Sequence, residues 1–311
     1  MRVIIFSDTF PPEINGVATS SFALRAVLEE KGHQVMVVTT NPYNNETLSD
    51  YHTIRVPGAE LKQLYDYRLA GIYYSKAMKM IRAFKPDLMH IQTEFGIGQF
   101  GYIAARMLRT PVVNTFHTQY EDYAYYITKG HFDNFARKFV RAYIKSSFEN
   151  RTVEIITPSV KTKDYIRQIG FDGHINVVPT GIDFSKFNRS NFKEEDLLNK
   201  RRELGIKDDD YVLLSLGRVA AEKSIDLCIR GFKKYLDKYQ DEHIKFLIVG
   251  GGPAFDSLVE LSEQLGIKDK VIFAGSVPNT EVAFYYNLGD AFISASITEY
   301  FFSGISLVPT R

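Results

Sequence analysis

The segment Leu213–Ser224, with the sequence L-L-S-L-G-R-V-A-A-E-K-S, joins a buried strand to a pair of cations. The apolar run at 211–216 has the length of a buried parallel strand, and Gly217 ends it. Arg218 and Lys223 follow, five residues apart, across a turn into a helical pattern that starts near Glu222. Cations at the carboxyl end of a strand, beside a helix N-terminus, make an anion site that suits a diphosphate. A solvated turn with two surface charges is the alternative interpretation.

Length and composition indicate a globular protein of two domains. The chain has 311 residues, of which 45% are hydrophobic and 24% charged, and its net charge is +1. This balance argues against a nucleic-acid partner. A single cysteine, Cys228, rules out an internal disulfide and fits a reducing compartment. We see no signal peptide and no apolar run near the roughly 20 residues of a membrane span, so a cytoplasmic location is expected.

Apolar runs alternate with helical patterns in both halves of the chain, which predicts an α/β fold with parallel sheets. A helix is predicted over Leu69–Phe84, ending before a proline. The predicted strands cover residues 3–6, 34–39, 87–92, 111–115, 153–157, 175–178, 211–216, 244–249, 270–273 and 291–294, the last clear one. A charged, strand-poor segment after Asp183 marks a domain boundary, giving domains at 1–183 and 184–311.

Several loops carry candidate ligand groups. Asn15-Gly16 stands at a helix entrance, where a backbone can approach a phosphate, although a plain turn would use the same residues. His117 ends a strand, where α/β folds place ligands, although a lone histidine is often structural. Neither half contains G-x-G-x-x-G, which argues against a nicotinamide oxidoreductase. The acidic run at 208–210 precedes a strand and is interpreted as a solvated turn, so no metal site is predicted.

The segment Lys129–Arg151 is rich in aromatic and basic residues. Its aromatic and apolar residues recur at helical spacing, while Arg137, Arg141 and Lys145 line a different face. A basic amphipathic helix of this kind can lie on an anionic membrane surface. A helix packed on the sheet, with a solvated basic face, is the alternative.

The motifs together resemble those of a known enzyme family. They are the Asn-Gly loop, the strand-end histidine, P-T-G-I-D at 179–183, G-R-V-A-A-E-K at 217–223 and S-A-S-I-T-E at 294–299. The sequence resembles the retaining glycosyltransferases of the GT-B fold, which have two Rossmann-like domains facing a cleft and use nucleotide-sugar donors.

A narrower resemblance concerns the substrate. H-I-Q-T-E-F at 90–95 and H-T-Q-Y-E-D-Y at 117–123 are similar to segments of the diacylglycerol glucosyltransferases. This implies transfer of glucose from UDP-glucose to 1,2-diacylglycerol with retention, on the inner face of the cell membrane, without a cofactor. The alternatives are a hexosyltransferase of the same fold that acts on another lipid or sugar, and a non-catalytic remnant that binds membrane or acceptor.

The resemblance also implies roles for individual residues. Arg218 and Lys223 would hold the donor diphosphate, and Gly16 would let the first loop approach it. His117 would lie beside the reacting sugar. Glu299 matches the first glutamate of the family's E-x7-E motif, which binds sugar hydroxyls. The backbone around Val277 would receive the base, and by resemblance no D-x-D metal motif is needed.

One position remains open and one departs from the family. Asp183 ends P-T-G-I-D, where a structural role and a ligand contact are equally plausible. Leu307 stands where the second glutamate of E-x7-E is expected. We therefore expect the second domain to be incomplete, with a truncated or frame-shifted C-terminus and residues 300–311 unrelated to the family.

Overall fold

The structure is a computed structural model, and it describes residues 1–13, 15–43, 48–49, 52–61, 67–117, 133–148, 152–181, 184–296 and 306–309. The chain divides into two compact units, Met1–Gly181 and Ile182–Arg311. Each unit contains a largely parallel sheet with helices between successive strands, so the predicted α/β fold with parallel sheets is confirmed.

The first unit has an eight-stranded sheet in the order β10-β9-β8-β7-β1-β2-β4-β3, with only β3 antiparallel to its neighbour among the pairings described. The strands of the unit, of which β5 and β6 lie outside that sheet, are β1 (Arg2–Phe6), β2 (Gln34–Thr40), β3 (Leu48–Ser49), β4 (Thr53–Val56), β5 (Gly58–Leu61), β6 (Tyr67–Ala70), β7 (Leu88–Ile91), β8 (Val112–Thr115), β9 (Thr152–Thr157) and β10 (Ile175–Val177). Its helices are α1 (Gly16–Glu30), α2 (Ser75–Phe84), α3 (Gly96–Leu108), α4 (Asp133–Phe148) and α5 (Val160–Gln168).

Local sequence explains where several of these helices begin and end. The Asn15 side chain caps α1 by accepting from the backbone N of Ala18 at 2.9 Å. Helices α2 and α3 each end at a residue in the left-handed conformation, Lys85 and Arg109, one or two positions before a proline. These signals lie within a few residues of each boundary, so they are readable from sequence.

The helix predicted over Leu69–Phe84 is wrong in its first part. Residues 67–70 form β6, which pairs antiparallel with β5 in the register Gly58↔Ala70, and α2 begins only at Ser75. The periodicity of residues 69–84 suits a helix, but antiparallel pairing with the preceding strand β5 satisfies the backbone of β6 instead. Tertiary contacts therefore decide this boundary.

The second unit has a five-stranded sheet in the order β13-β12-β11-β14-β15. Its strands are β11 (Tyr211–Leu216), β12 (Ile244–Val249), β13 (Val271–Gly275), β14 (Ala291–Ser294) and β15 (Ser306–Pro309). Its helices are α6 (Glu194–Glu203), α7 (Ile225–Tyr239), α8 (Phe255–Gln264) and α9 (Val282–Tyr286), with short 3-10 turns at 184–187, 189–191, 221–223 and 279–281.

Two details of this unit differ from the prediction. The helix after Arg218 begins at Ile225 rather than near Glu222, because Ser224 adopts a left-handed conformation with φ +48° between a 3-10 turn and α7. Residues 291–294 are not the last strand, since β15 pairs antiparallel with β14 in the register Ile293↔Leu307. The run S-L-V-P is too short to stand out as a strand by periodicity alone.

Candidate active site

At the carboxyl edge of the first sheet, Asp8 joins the loops that follow β1 and β7. Its Oδ1 atom accepts from the backbone N of Ile97, at 2.9 Å, in the first turn of α3. Its own backbone N donates to Thr93 Oγ1 at 3.0 Å. The Asp8 side chain is buried, so it positions this edge rather than facing solvent. Asp8 is not recognisable as a site residue from the sequence, because both partners lie at least 85 positions away.

Gly16 begins α1 at the same edge of the sheet. A Cβ atom built at Gly16 would meet nothing within 4 Å, so packing does not require glycine there. Two hydrogen bonds hold the Asn15 side chain in place: its Oδ1 accepts from Ala18 N, and its Nδ2 donates to Thr9 Oγ1 at 2.7 Å. The backbone at the start of α1 is therefore exposed on a well-anchored turn, as an anion site would need.

His117 lies two residues beyond β8 and faces the end of β7. Its Nε2 atom is 2.6 Å from Gln92 Oε1. Two residues earlier on the same strands, His90 Nε2 lies 2.7 Å from Thr115 Oγ1. Burial lowers the pKa of His117 to about 4, and burial together with the nearby His117 lowers the pKa of His90 to about 3. Both imidazoles are therefore neutral near pH 7.

Helix α4, which carries part of the basic segment, is anchored to this edge by its C-terminal half. Tyr143 Oη donates to the carbonyl O of Glu94 at 3.1 Å, and its ring stacks on Phe95 with centroids 5.0 Å apart. Ile144 and Phe148 are buried in the core. These apolar positions pack on the sheet and are unavailable to a bilayer, as in the alternative interpretation of a packed helix.

The opposite side of α4 is basic. Lys138 and Arg141 are exposed, and Lys145 is half-buried. Lys129 and Arg151 lie outside the described residues, as does the side chain of Arg137. Among the helices that the structure describes, none is long and apolar enough to cross a membrane.

In the second unit, three loops meet at the carboxyl edge of the sheet, and we call them together the glycine platform: residues 217–219, 250–252 and 275–277. Backbone hydrogen bonds connect them. Val219 N donates to Gly251 O at 3.0 Å, and Gly250 N donates to Gly275 O at 2.8 Å. The platform therefore spans the ends of β11, β12 and β13, and Arg218 lies within it.

Close packing explains the glycines at 250–252. A Cβ atom at Gly250 would lie 1.8 Å from the carbonyl O of Gly217, and one at Gly252 would lie 2.2 Å from that of Val219. Both have positive φ, +142° and +155°, a region that favours glycine. These glycines therefore allow the loop to approach the backbone on both sides of Arg218.

Arg218 and Lys223 both follow β11 and are half-buried, the second at the end of the 3-10 turn 221–223. Ser296, just beyond β14, donates from Oγ to the carbonyl O of Glu222 at 3.3 Å. This bond brings the S-A-S segment against the turn that carries Lys223. Glu299 follows three positions later and lies outside the described residues.

The other positions that the sequence analysis singled out are Val277, Asp183 and Leu307. Val277 is half-buried in the platform beside Ser276, whose Oγ would lie 2.1 Å from a Cβ at Gly251. Asp183 lies outside the described residues. Leu307 is part of β15.

The acidic run at 208–210 forms a turn at the opposite, amino end of β11. Asp208 pairs with Arg202 at 2.6 Å and Asp209 with His243 at 3.0 Å. Asp210 is buried, and its Oδ2 accepts from the backbone N of Lys207 at 2.8 Å. These contacts account for the run as a turn that begins the strand, although Asp210 is not solvated as predicted.

Comparison with known proteins is consistent with this architecture. Residues 14–186 match the family Glycosyltransferase Family 4, and residues 197–308 match Glycosyl transferases group 1. The second match extends into the segment after 299 that was expected to fall outside the family. Among solved structures, Anabaena Alr3699/HepE in complex with UDP-glucose has a TM-score of 0.61 at 16% identity, covering 94% of this chain and 73% of that one. The glycosyltransferase WaaG has a TM-score of 0.64 at 16% identity, covering 96% and 75%.

Two curated relatives are closer in sequence. The alpha-monoglucosyldiacylglycerol synthase of Streptococcus pneumoniae is 37% identical over 299 residues, which cover 96% of this chain and 67% of the relative. The protein of the same name from Acholeplasma laidlawii is 33% identical over 303 residues, covering 96% and 75%. With its two matched regions and its two α/β units, the chain belongs to the GT-B glycosyltransferases of family 4.

Proposed function

We propose that the protein transfers glucose from UDP-glucose to 1,2-diacylglycerol with retention of the anomeric configuration. The identity of 37% and 33% to two alpha-monoglucosyldiacylglycerol synthases, each over 96% of this chain, carries the proposal. An α-linked product made from an α-linked donor such as UDP-glucose requires retention. The acceptor lies within a bilayer, so the reaction takes place at a membrane surface, which we assign to the cytoplasmic side.

The donor half of the reaction is assigned to the second unit. Transfer breaks the bond between the anomeric carbon and a diphosphate oxygen, and negative charge develops on the departing UDP. Arg218 and Lys223 stabilise that charge, and Arg218 is held in the glycine platform by neighbouring backbone hydrogen bonds. The backbone around Val277 receives the base, and Glu299 binds sugar hydroxyls. Because two cations supply the positive charge, we propose that no metal ion is needed.

The remaining roles are assigned to the first unit. The exposed N-terminus of α1 at Gly16 offers backbone N–H groups to donor phosphate oxygens. His117 lies beside the reacting sugar. Lys138 and Arg141, exposed on α4, attract anionic lipid headgroups and bring the enzyme to its acceptor.

Incubation of the purified chain with radiolabelled UDP-glucose and vesicles of diacylglycerol and anionic phospholipid tests the proposal. We expect a labelled lipid with an α-linkage by NMR, formed only with diacylglycerol present and still formed in EDTA. Label transferred to a different lipid or sugar would support the same fold with another acceptor. Binding of UDP-glucose or vesicles without any product would support the non-catalytic interpretation.

A further inference from the structure

Strands β7 and β8 carry a pair of parallel side-chain contacts at their carboxyl ends. The register of the two strands is His90↔Val113 and Ile91↔Asn114. His90 lies in β7 and Thr115 in β8, and Gln92 and His117 lie just beyond the ends of those strands. His90 and Gln92 are two positions apart, as are Thr115 and His117, which is the spacing that places side chains on the same side of a sheet. Two diagonal contacts therefore connect the two segments. One joins His90 Nε2 to Thr115 Oγ1 at 2.7 Å, and the other joins His117 Nε2 to Gln92 Oε1 at 2.6 Å.

The second contact determines which nitrogen of His117 carries the proton. The side-chain oxygen of a glutamine can only accept a hydrogen bond, so the Nε2 atom facing Gln92 Oε1 must be the protonated one. A neutral imidazole then has a bare Nδ1 with a lone pair. Since burial lowers the pKa of His117 to about 4, this neutral form predominates at physiological pH.

Gln92 is itself fixed in position. Its side chain is 2% exposed, and its backbone N donates to Phe6 O at 2.8 Å on the central strand β1. A buried, anchored amide has little freedom to turn away from its partner. The anchored side chain of Gln92 therefore fixes the orientation of the His117 ring.

We propose that Gln92 is a positioning residue that holds His117 in its Nε2-protonated tautomer, so that Nδ1 accepts a hydrogen bond from a hydroxyl group of the bound substrate. The part concerning substrate rests on the proposed function, whereas the tautomer does not. Gln92 acts through His117 and takes no part in the chemistry. In many proteins a carboxylate or carbonyl oxygen likewise accepts a hydrogen bond from one nitrogen of a functional histidine, and this bond fixes the tautomer and the ring orientation.

Nitrogen NMR of the 311-residue protein labelled with 15N-histidine measures the tautomer directly, without turnover. We expect the wild type to show His117 with a protonated Nε2 and a bare Nδ1, the signal being assigned by its loss in His117→Gln. In Gln92→Leu, which removes the acceptor at similar volume, we expect a mixture of both tautomers. Thr115→Val is the matched control, because it removes the neighbouring contact to His90 and should leave the His117 signal unchanged.

Gln92→Glu keeps a hydrogen-bond acceptor and adds a negative charge. This variant tests the contact with His117 if Gln92→Leu does not fold. The expected result is the same tautomer with the His117 titration moved to higher pH, since a carboxylate stabilises imidazolium. An unmoved titration in Gln92→Glu, or an unchanged tautomer in a folded Gln92→Leu protein, overturns the assignment.

Kinetics test the link to the reaction. In the glycolipid assay Gln92→Leu should lower kcat about tenfold, the equivalent of one hydrogen bond, with a smaller change in KM, while Thr115→Val remains near wild type. An altered tautomer with unaltered kcat overturns the catalytic part. A wild type that makes no glycolipid counts against the proposed function, and the NMR result then decides the tautomer by itself.

Discussion

At the scale of single residues, Arg218 and Lys223 carry the charge that we assign to donor binding. Replacing either with alanine should weaken UDP binding by about tenfold to a hundredfold, because a hydrogen bond to a charged group contributes about 1.5–3 kcal/mol. In the glycolipid assay kcat should fall by more than KM rises, since the charge develops in the transition state. Calorimetric titration with UDP measures the first effect.

Arg230→Ala and Lys234→Ala are matched controls for these two variants. Both residues are exposed on α7, within the same unit, and both changes remove the same charge. We expect wild-type affinity for UDP in each control. Equal affinity in the controls and in the Arg218 and Lys223 variants would refute the assignment of the diphosphate site.

At the scale of the element, the glycine platform depends on the close approach of its loops. In Gly250→Ala the new Cβ would lie 1.8 Å from Gly217 O, at a φ of +142°. We expect a loss of about 2 kcal/mol or more in the free energy of unfolding, together with weaker UDP binding. Gly266→Ala is the control, because residue 266 also has a positive φ, +67°, but a Cβ atom there would meet nothing within 4 Å. This change should lower the free energy of unfolding by about 1 kcal/mol. Urea unfolding compares the two, and equal losses would contradict the packing argument.

Helix α4 gives a prediction about membrane binding. The double variant Lys138→Ala/Arg141→Ala should bind anionic vesicles about thirtyfold less tightly at low salt, because each basic residue near such a surface contributes about 1 kcal/mol. Ile144 and Phe148 are buried in the core, so the two substitutions leave the apolar packing of this helix in place. Vesicle co-sedimentation over a range of salt and lipid charge provides the measurement.

The control for this helix is Lys234→Ala/Lys238→Ala on α7, which removes two exposed positive charges from the other unit. It should pellet with vesicles as the wild type does. If both double variants pellet equally, or if binding does not respond to salt, Lys138 and Arg141 form an ordinary solvated face.

At the scale of the whole molecule, two histidines with lowered pKa values, buried His90 and half-buried His117, make stability depend on pH. The pKa values of His90 and His117 lie at about 3 and about 4 in the folded protein, against about 6.5 when unfolded. Below pH 6.5 the unfolded chain takes up protons that the folded protein does not. The free energy of unfolding therefore falls with decreasing pH, by up to about 1.4 kcal/mol per pH unit for each histidine.

Urea unfolding followed by circular dichroism between pH 7.5 and pH 5 measures this slope. His90→Gln and His117→Gln should each reduce the dependence of the free energy of unfolding on pH, measured in the transition of the first unit. The reduction should correspond to the uptake of up to one proton fewer on unfolding. We would abandon the prediction if the double variant and the wild type lost stability in parallel over this range.

Much of the architecture was predictable from sequence, because its signals are local. Apolar runs of strand length predict the parallel strands on either side of Arg218, and the capping residue Asn15 and the prolines after α2 and α3 lie within a few positions of the boundaries that they set. Arg218 and Lys223 were recognisable as candidate ligands because they lie between the end of a strand and the start of a helix. The basic face of α4 was likewise apparent from helical spacing.

Only the tertiary structure decided which distant groups meet. Asp8 caps a helix that begins 88 positions later, Gln92 orients His117 across two strands, and the Gly250 loop lies against Gly217. Periodicity specifies which face of an element is buried but not what it is buried against. For the same reason it could not show that Phe148 would pack in the core rather than face a membrane. Those outcomes depend on long-range pairing, which local sequence does not encode.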